Sequence, residues 1–242
     1  MRCTLKPFEP DLDETSVGKC TNHLFFRYLY AYILTRNFLE GCAFFILGGF
    51  FMSKGLKLSE ILVTVLIAVV FAVIYNIWNF VYKALQVTGL HFEELTYGAW
   101  FMAAIVAYLI IPKAGIAILA EFAAGAGETI VMGRFDIATM VYALLQGLAC
   151  EIIFAIFRYK SRSAMVAMLA GLLASISTLP LDFAYGYLGE VAGWNLALYI
   201  GFRLISGIIV AGLISYYIVK ALDQTGVTKL FRPATESDYD NL

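Results

Sequence analysis

After residue 57 the chain alternates between long apolar runs and short polar or Gly/Pro breaks. The runs fall roughly at 58–82, 95–111, 114–132, 137–157, 163–187 and 195–222. Gly89, Pro112, GRFD (133–136), RYKSRS (158–163) and GEVAG (189–193) separate them. About 20 apolar residues suffice for a helix to cross the hydrocarbon core of a bilayer. The pattern therefore predicts an all-α, polytopic membrane protein with six transmembrane helices in one domain. The second run is short for a full span, so it is expected to tilt little or to begin in the interface.

Composition agrees. Hydrophobic residues make up 61% of the 242 positions and charged residues 14%, too few to clothe a water-soluble globule. The formal net charge of −1 and the lack of a basic patch give no reason to expect nucleic acid. Cys3, Cys20, Cys42 and Cys150 show neither metal-ligand spacing nor a paired framework, and His23 and His91 are the only histidines. No cofactor or metal is expected. No P-loop is present, so any ATP hydrolysis belongs to a partner chain.

Residues 1–51 stand apart. The segment LFFRYLYAYILTRNFLEGCAFFILGGFF (24–51) is apolar but carries Arg27, Arg36 and Glu40. Charges at a helix centre make it a poor span, and it lacks the layout of a signal peptide. MSKGLKLSEILVTV, starting at Met52, has the form of a membrane-protein start. Met52 is accordingly expected as the initiator, with 1–51 as upstream sequence; an interfacial amphipathic helix is the alternative. The transmembrane domain is set at 52–228 and a polar tail at 229–242.

Lys54, Lys57, Lys113, Arg158, Lys160, Arg162 and Lys220 flank one set of helix ends; only Lys83 and Arg134 flank the other. The positive-inside rule then puts both termini in the cytoplasm of a multi-pass protein of the cell membrane. Trp78, Tyr82, Tyr97, Trp100, Tyr185, Tyr187 and Trp194 gather at the outer ends, with Glu93, Glu94, Asp136 and Glu190 in the outer loops. An interfacial belt accounts for many such aromatics, but belts form at both faces. All three tryptophans on one side favour a site there.

Several polar residues sit inside the apolar runs. Tyr75, Trp78, Asn79 and Tyr82 share a face of the first helix, while Asn76 points elsewhere and reads as structural. Glu121 and Glu128 are seven apart, hence on one face of the third helix, about 10 Å from each other. Gln146 and Glu151 lie in the fourth helix, Asp182 follows Pro180 in the fifth, and Arg203 is within the sixth. Intramembrane ionisable groups are functional candidates unless paired. Arg203 is expected to pair with Glu121 or Glu151. One arginine cannot neutralise three glutamates, and the surplus suits a cationic ligand. Carboxylates beside aromatic faces are the equipment for an organic cation. The candidate ligand-binding set is Trp78, Asn79, Tyr82, Tyr97, Trp100, Glu121, Glu128, Gln146, Asp182, Tyr185 and Trp194. No nucleophile–base pair stands out, so an enzyme is disfavoured. Ala68 and Ala72, four apart, form a small-residue face open to internal packing or to another helix.

VFAVIYNIWNFVYKAL, LTYGAWFMAAIVAYLIIPKAGIAILAEFAAGAGE, LLQGLACEIIFAIFRY and RLISGIIVAGLISYYIVKAL, in this order over about 52–228, resemble the YkoE family. These are substrate-binding S components of energy-coupling factor (ECF) vitamin importers. The resemblance implies the S-component fold and an outward-opening site for thiamin or its hydroxymethylpyrimidine precursor. It also implies a transmembrane T component and ABC ATPases as partners, with Ala68 and Ala72 facing the T component. The competing expectation is a stand-alone permease, coupled to protons or cations, with Glu121 and Glu151 as relay groups.

The charge asymmetry has a direct test. In a background without native cysteines, Arg134→Cys should react with an impermeant thiol reagent added outside intact cells, and Lys160→Cys should not. The reverse pattern overturns the orientation.

Overall fold

The computed structural model describes residues 56–226 apart from 88, 134–135, 187 and 189–192. The expected extension over 1–51, the start at Met52, the tail, and Lys54, Arg134, Tyr187 and Glu190 lie outside the described residues. Among the described residues the architecture is all-helical, as expected from the hydropathy pattern. Helix α1 spans Leu58–Gln86. A 3-10 helix, Phe92–Phe101, leads into α2, Met102–Ile110. Then come α3, Ile116–Val131, α4, Ile137–Ile156, and α5, Ala164–Tyr185. The last helix, α6, runs over Trp194–Thr225 and contains a π-helical stretch, Gly207–Ile214.

Helices α1, α4, α5 and α6 are long and apolar enough to cross a membrane by themselves. Helix α2 has a different task. Every residue from Met102 to Ile110 is buried, and α2 touches each of the other five helices. A helix that is apolar all round belongs in a core, so α2 is the axle of the bundle. The expected second helix began at 95; its first part is instead the tighter 3-10 segment. Gly98 explains the geometry: its backbone lies against α6, where an added Cβ would stand 2.5 Å from the Ser206 carbonyl oxygen. Its N–H donates to Ser206 Oγ at 2.8 Å.

Successive helices run antiparallel, so the C-terminal ends of α1, α3 and α5 share one end of the bundle with the N-terminal ends of α4 and α6. The opposite end holds Lys57, Lys113, Arg158, Lys160, Arg162 and Lys220. It is fastened by Lys113 Nζ, 2.7 and 2.8 Å from the two Glu60 carboxylate oxygens. Tyr108 also stacks there on Phe154 with ring centroids 3.6 Å apart, and donates to the Ser161 carbonyl at 2.8 Å.

Ala68 and Ala72 do not present a face to a partner. They are 1% and 3% exposed within this chain. At Ala72 the cause is α3: a Cβ added at Gly127 would stand 2.6 Å from the Ala72 methyl. Small residues here close α1 onto α3, and the exposed face of α1 is carried by Leu62, Leu66, Val69 and Val73. The expected T-component contact at these alanines is therefore corrected to internal packing. Ala72→Trp should force the two helices apart, an overpacking cost of about 1–3 kcal/mol or more. It should lower the melting temperature of the purified protein in detergent. An unchanged melt would put Ala72 on an outer surface.

Candidate functional site

The cavity end of the bundle encloses about 500 Å³. Its walls come from α1 (Tyr75, Asn79, Tyr82, Gln86), the 3-10 segment (Glu93, Glu94, Tyr97, Trp100) with His91, α3 (Glu121, Gly125, Glu128), α4 (Thr139, Tyr142, Ala143, Gln146), α5 (Asp182) and α6 (Tyr199, Arg203). Helical spacing puts these side chains together: Tyr75 and Asn79, Tyr142 and Gln146, and Tyr199 and Arg203 are each four apart on one face. The lining holds five carboxylates and one guanidinium.

Arg203 is 2% exposed. Nε donates to Glu94 Oε2 at 2.6 Å. A terminal nitrogen donates to Asp182 Oδ2 and the other to Tyr199 Oη at 2.6 Å. Tyr82 donates to the remaining Glu94 oxygen, and Tyr142 to Asp182 Oδ1 at 2.6 Å. The guanidinium lies over the Tyr97 ring, 3.7 Å from its centroid, and 4.6 Å from that of Tyr199. One ion thus ties together α1, the 3-10 segment, α4, α5 and α6. The expected pairing of Arg203 with Glu121 or Glu151 is corrected: its partners are Glu94 and Asp182. Glu94, assigned to an outer loop, is fully buried.

Glu121 and Glu151 serve backbone. Glu121 accepts from Tyr75 Oη at 3.1 Å on both oxygens and from the Ala104 N–H at 3.0 Å; Tyr75 Oη in turn accepts from the Ala103 N–H at 3.1 Å. Those amides open α2, whose first N–H groups have no partner inside the helix. Glu151 does the same for α3, accepting from the N–H groups of Gly115 at 2.6 Å and Ala117 at 3.2 Å, and from Tyr159 Oη at 2.9 Å. Carboxylates at helix N-termini also offset the helix dipole.

Glu128 differs. Its Oε1 accepts from Asn79 Nδ2 at 2.6 Å and Trp100 Nε1 at 3.2 Å. Its Oε2 makes no hydrogen bond among the described residues. Asn76 bonds the carbonyls of Ala72 and Glu128 at 2.9 and 3.2 Å, a structural role as its placement suggested.

Two comparisons with known proteins align most of the chain. A Bacillus subtilis (strain 168) protein named "Putative HMP/thiamine permease protein YkoE" is 33% identical over 176 residues, covering 72% of this chain and 88% of that one. A crystal structure of an S-component of an ECF transporter is 32% identical with a TM-score of 0.67, covering 72% of this chain and 89% of that one. The chain belongs to the YkoE family. A further family model, described as the permease component of an ABC-type cobalt transport system, matches residues 59–177. Family and fold are those of transport S components of the multi-pass membrane, not of enzymes.

Eight of the eleven candidate ligand residues line the cavity of this YkoE-family chain: Asn79, Tyr82, Tyr97, Trp100, Glu121, Glu128, Gln146 and Asp182. Three do not. Trp78 donates to the Thr96 carbonyl at 3.0 Å, Tyr185 is 41% exposed and Trp194 is 76% exposed. Tyr185 lies beside the lining residue Tyr142, with ring centroids 5.9 Å apart. Tyr142 and Tyr199 were missed, although each is four residues from a residue already singled out.

Removing Arg203 leaves two buried carboxylates opposed. Loss of one partner from a buried ionic network costs about 3–5 kcal/mol. Arg203→Met should therefore sharply lower the melting temperature of the purified protein. Wild-type stability would mean that Glu94 and Asp182 do not depend on the guanidinium.

Proposed function

We propose that this S component binds thiamin or its hydroxymethylpyrimidine precursor in the cavity described above. The observation that carries the reading is Glu128: a buried carboxylate with one oxygen free of protein partners, beside the indole of Trp100, in a cavity with surplus negative charge. Arg203 is matched by Glu94 and Asp182, so it does not cancel Glu128. A thiazolium cation gains both from the carboxylate and from the π face of a tryptophan. The flat aminopyrimidine suits the remaining aromatic walls. The name of the Bacillus subtilis relative supports the same ligand class.

The cavity lies at the end opposite the basic cluster. With that cluster in the cytoplasm, the site takes its ligand from outside. Release inside then requires the T component and ABC ATPases implied by an S component, with residues 52–228 as the membrane domain. The rival reading, a stand-alone permease, needs Glu121 and Glu151 as mobile relay groups. Both are held instead as helix caps.

Glu128→Gln keeps the shape and removes the charge. A charge-assisted contact shielded from water contributes on the order of 1–3 kcal/mol. Thiamin affinity, followed by tryptophan fluorescence of the purified chain, should fall roughly ten- to a hundred-fold. Unchanged affinity in a folded variant would place the site elsewhere.

A further inference from the structure

Helix α6 changes its hydrogen-bond register partway along. Trp194–Ser206 and Ser215–Thr225 are α-helical, and Gly207–Ile214 between them is π-helical. A π turn closes i→i+5 bonds and so carries an extra residue; such stretches inside α-helices are frequent at functional sites. The packing shows what the extra residue does. Gly207 and Gly212 both lie against α5: a Cβ added at Gly207 would stand 2.5 Å from the Gly171 carbonyl oxygen, and one at Gly212 would stand 2.5 Å from Met168 Cα. Positions five apart in an α-helix point about 140° away from each other. The π register turns both glycines onto α5.

Two features of the sequence answer to an α register instead. Ser215 is fully buried, and its hydroxyl has no hydrogen-bond partner among the described residues. In a continuous α-helix a serine hydroxyl bonds the carbonyl four residues back, which is that of Ala211. Gly207, Ala211, Ile214 and Ile218 also follow the four-three-four spacing of one α-helical face. Yet Ile214 and Ile218 are 42% and 37% exposed, while Gly207, Gly212, Ser215 and Val219 are buried. The same segment thus carries two packing stripes, one for each register.

The parts of α6 on either side are held unequally. The cavity-end part is fixed by Arg203 to Glu94 and Asp182, by the Ser175 hydroxyl donating to the Arg203 carbonyl at 3.2 Å, and by the Gly98 N–H donating to Ser206 Oγ. In Ser215–Thr225 only Ser215 and Val219 are buried, and the Arg162–Asp223 ion pair there is partly exposed, at 3.8 Å.

From the two stripes and the unequal anchoring we infer that Gly207–Ile214 is a register joint. The cavity-end part of α6 stays with Arg203. When the π stretch passes to α, Ser215–Thr225 turns by about 100° and advances by about 1.5 Å, the step of one α-helical residue. Gly212 then leaves α5, Ile214 and Ile218 take over its face, and the Ser215 hydroxyl gains the Ala211 carbonyl. Movement imposed at the basic end is absorbed in the joint, and the Arg203 network keeps its geometry.

Two measurements on the purified full chain test this. Ser215→Ala removes the partnerless hydroxyl, so it should raise the melting temperature by roughly 2–4 °C. Deleting Ile209, which is 47% exposed, takes out the extra residue: α6 becomes α-helical throughout while Ser215–Thr225 keeps its place. There the serine has its acceptor, and Ser215→Ala should bring no gain. The second measurement is the distance between spin labels at Leu58→Cys and Lys220→Cys, both exposed positions, in a background without native cysteines. A turn of about 100° on a helix about 10 Å across carries a side-chain tip by roughly 8 Å. The intact chain should therefore show two distance maxima, and the deletion variant one of them. A single maximum in the intact chain overturns the joint, as does a melting gain from Ser215→Ala that persists in the deletion variant. Should the deletion variant not fold, the distance distribution of the intact chain decides.

Discussion

The cavity end of this protein is organised by one buried cation. Arg203 sits among Glu94, Asp182, Tyr97 and Tyr199, and with Tyr82 on Glu94 and Tyr142 on Asp182 five of the seven helical segments meet through that network. An isolated guanidinium in this position would be prohibitive, since removing an ion from water costs several kcal/mol even after relaxation. Two carboxylates and the hydroxyls of Tyr199 and Thr178 accept from it, and the other oxygens of the carboxylates are met by Tyr82 and Tyr142. The network is closed. Because it is closed, the other carboxylates of the cavity keep their field. Without Glu94 and Asp182, Arg203 would oppose the attraction of Glu128 for a cation.

The buried glutamates divide by what they accept. Helix α2 starts inside the bundle and α3 at its basic end, and each leaves free amides in its first turn. Glu121 and Glu151 answer that demand at the two starts, from α3 and α4 respectively. Backbone amides thus account for their position in apolar sequence. Glu128, two turns along α3 from Glu121, accepts only side-chain donors, and its Oε2 makes no hydrogen bond among the described residues. Seven residues of separation place two identical groups on one face, yet one meets backbone amides and the other only side-chain donors.

Much of this was legible in the chain. Apart from the start of the second, the runs of apolar residues located the helices to within a few positions, because in a bilayer length and hydropathy are tightly constrained. The gathering of acids and aromatics at one set of helix ends also marked the cavity. Pairings across the bundle were not legible. Glu94 and Arg203 are 109 positions apart, and no local spacing announces their contact; Glu94 looked like a loop acid because it neighbours Glu93 beside a break. Ala68 and Ala72 failed for another reason. Small residues four apart allow any backbone to approach, whether from α3 or from a partner, and sequence does not say which. Trp78, Tyr185 and Trp194 lie at the correct end but on the wrong faces, a distinction that needs the rotation of each helix.

The distribution of packing bears on how such a protein moves its ligand. All the lining of the cavity comes from one half of the bundle. Beyond it toward the basic end lies α2, with Ala103 to Ile110 no more than 4% exposed. Farther on, Lys113 is paired with Glu60 and Tyr108 is stacked on Phe154. A chain that released its ligand through that end alone would have to separate the best-packed part of its own core. Interiors packed this closely resist continuous deformation. Movement of the bundle as one body against another subunit leaves the core intact and still carries the cavity to a new environment. The dense axle of α2 therefore argues against a self-sufficient channel through the bundle.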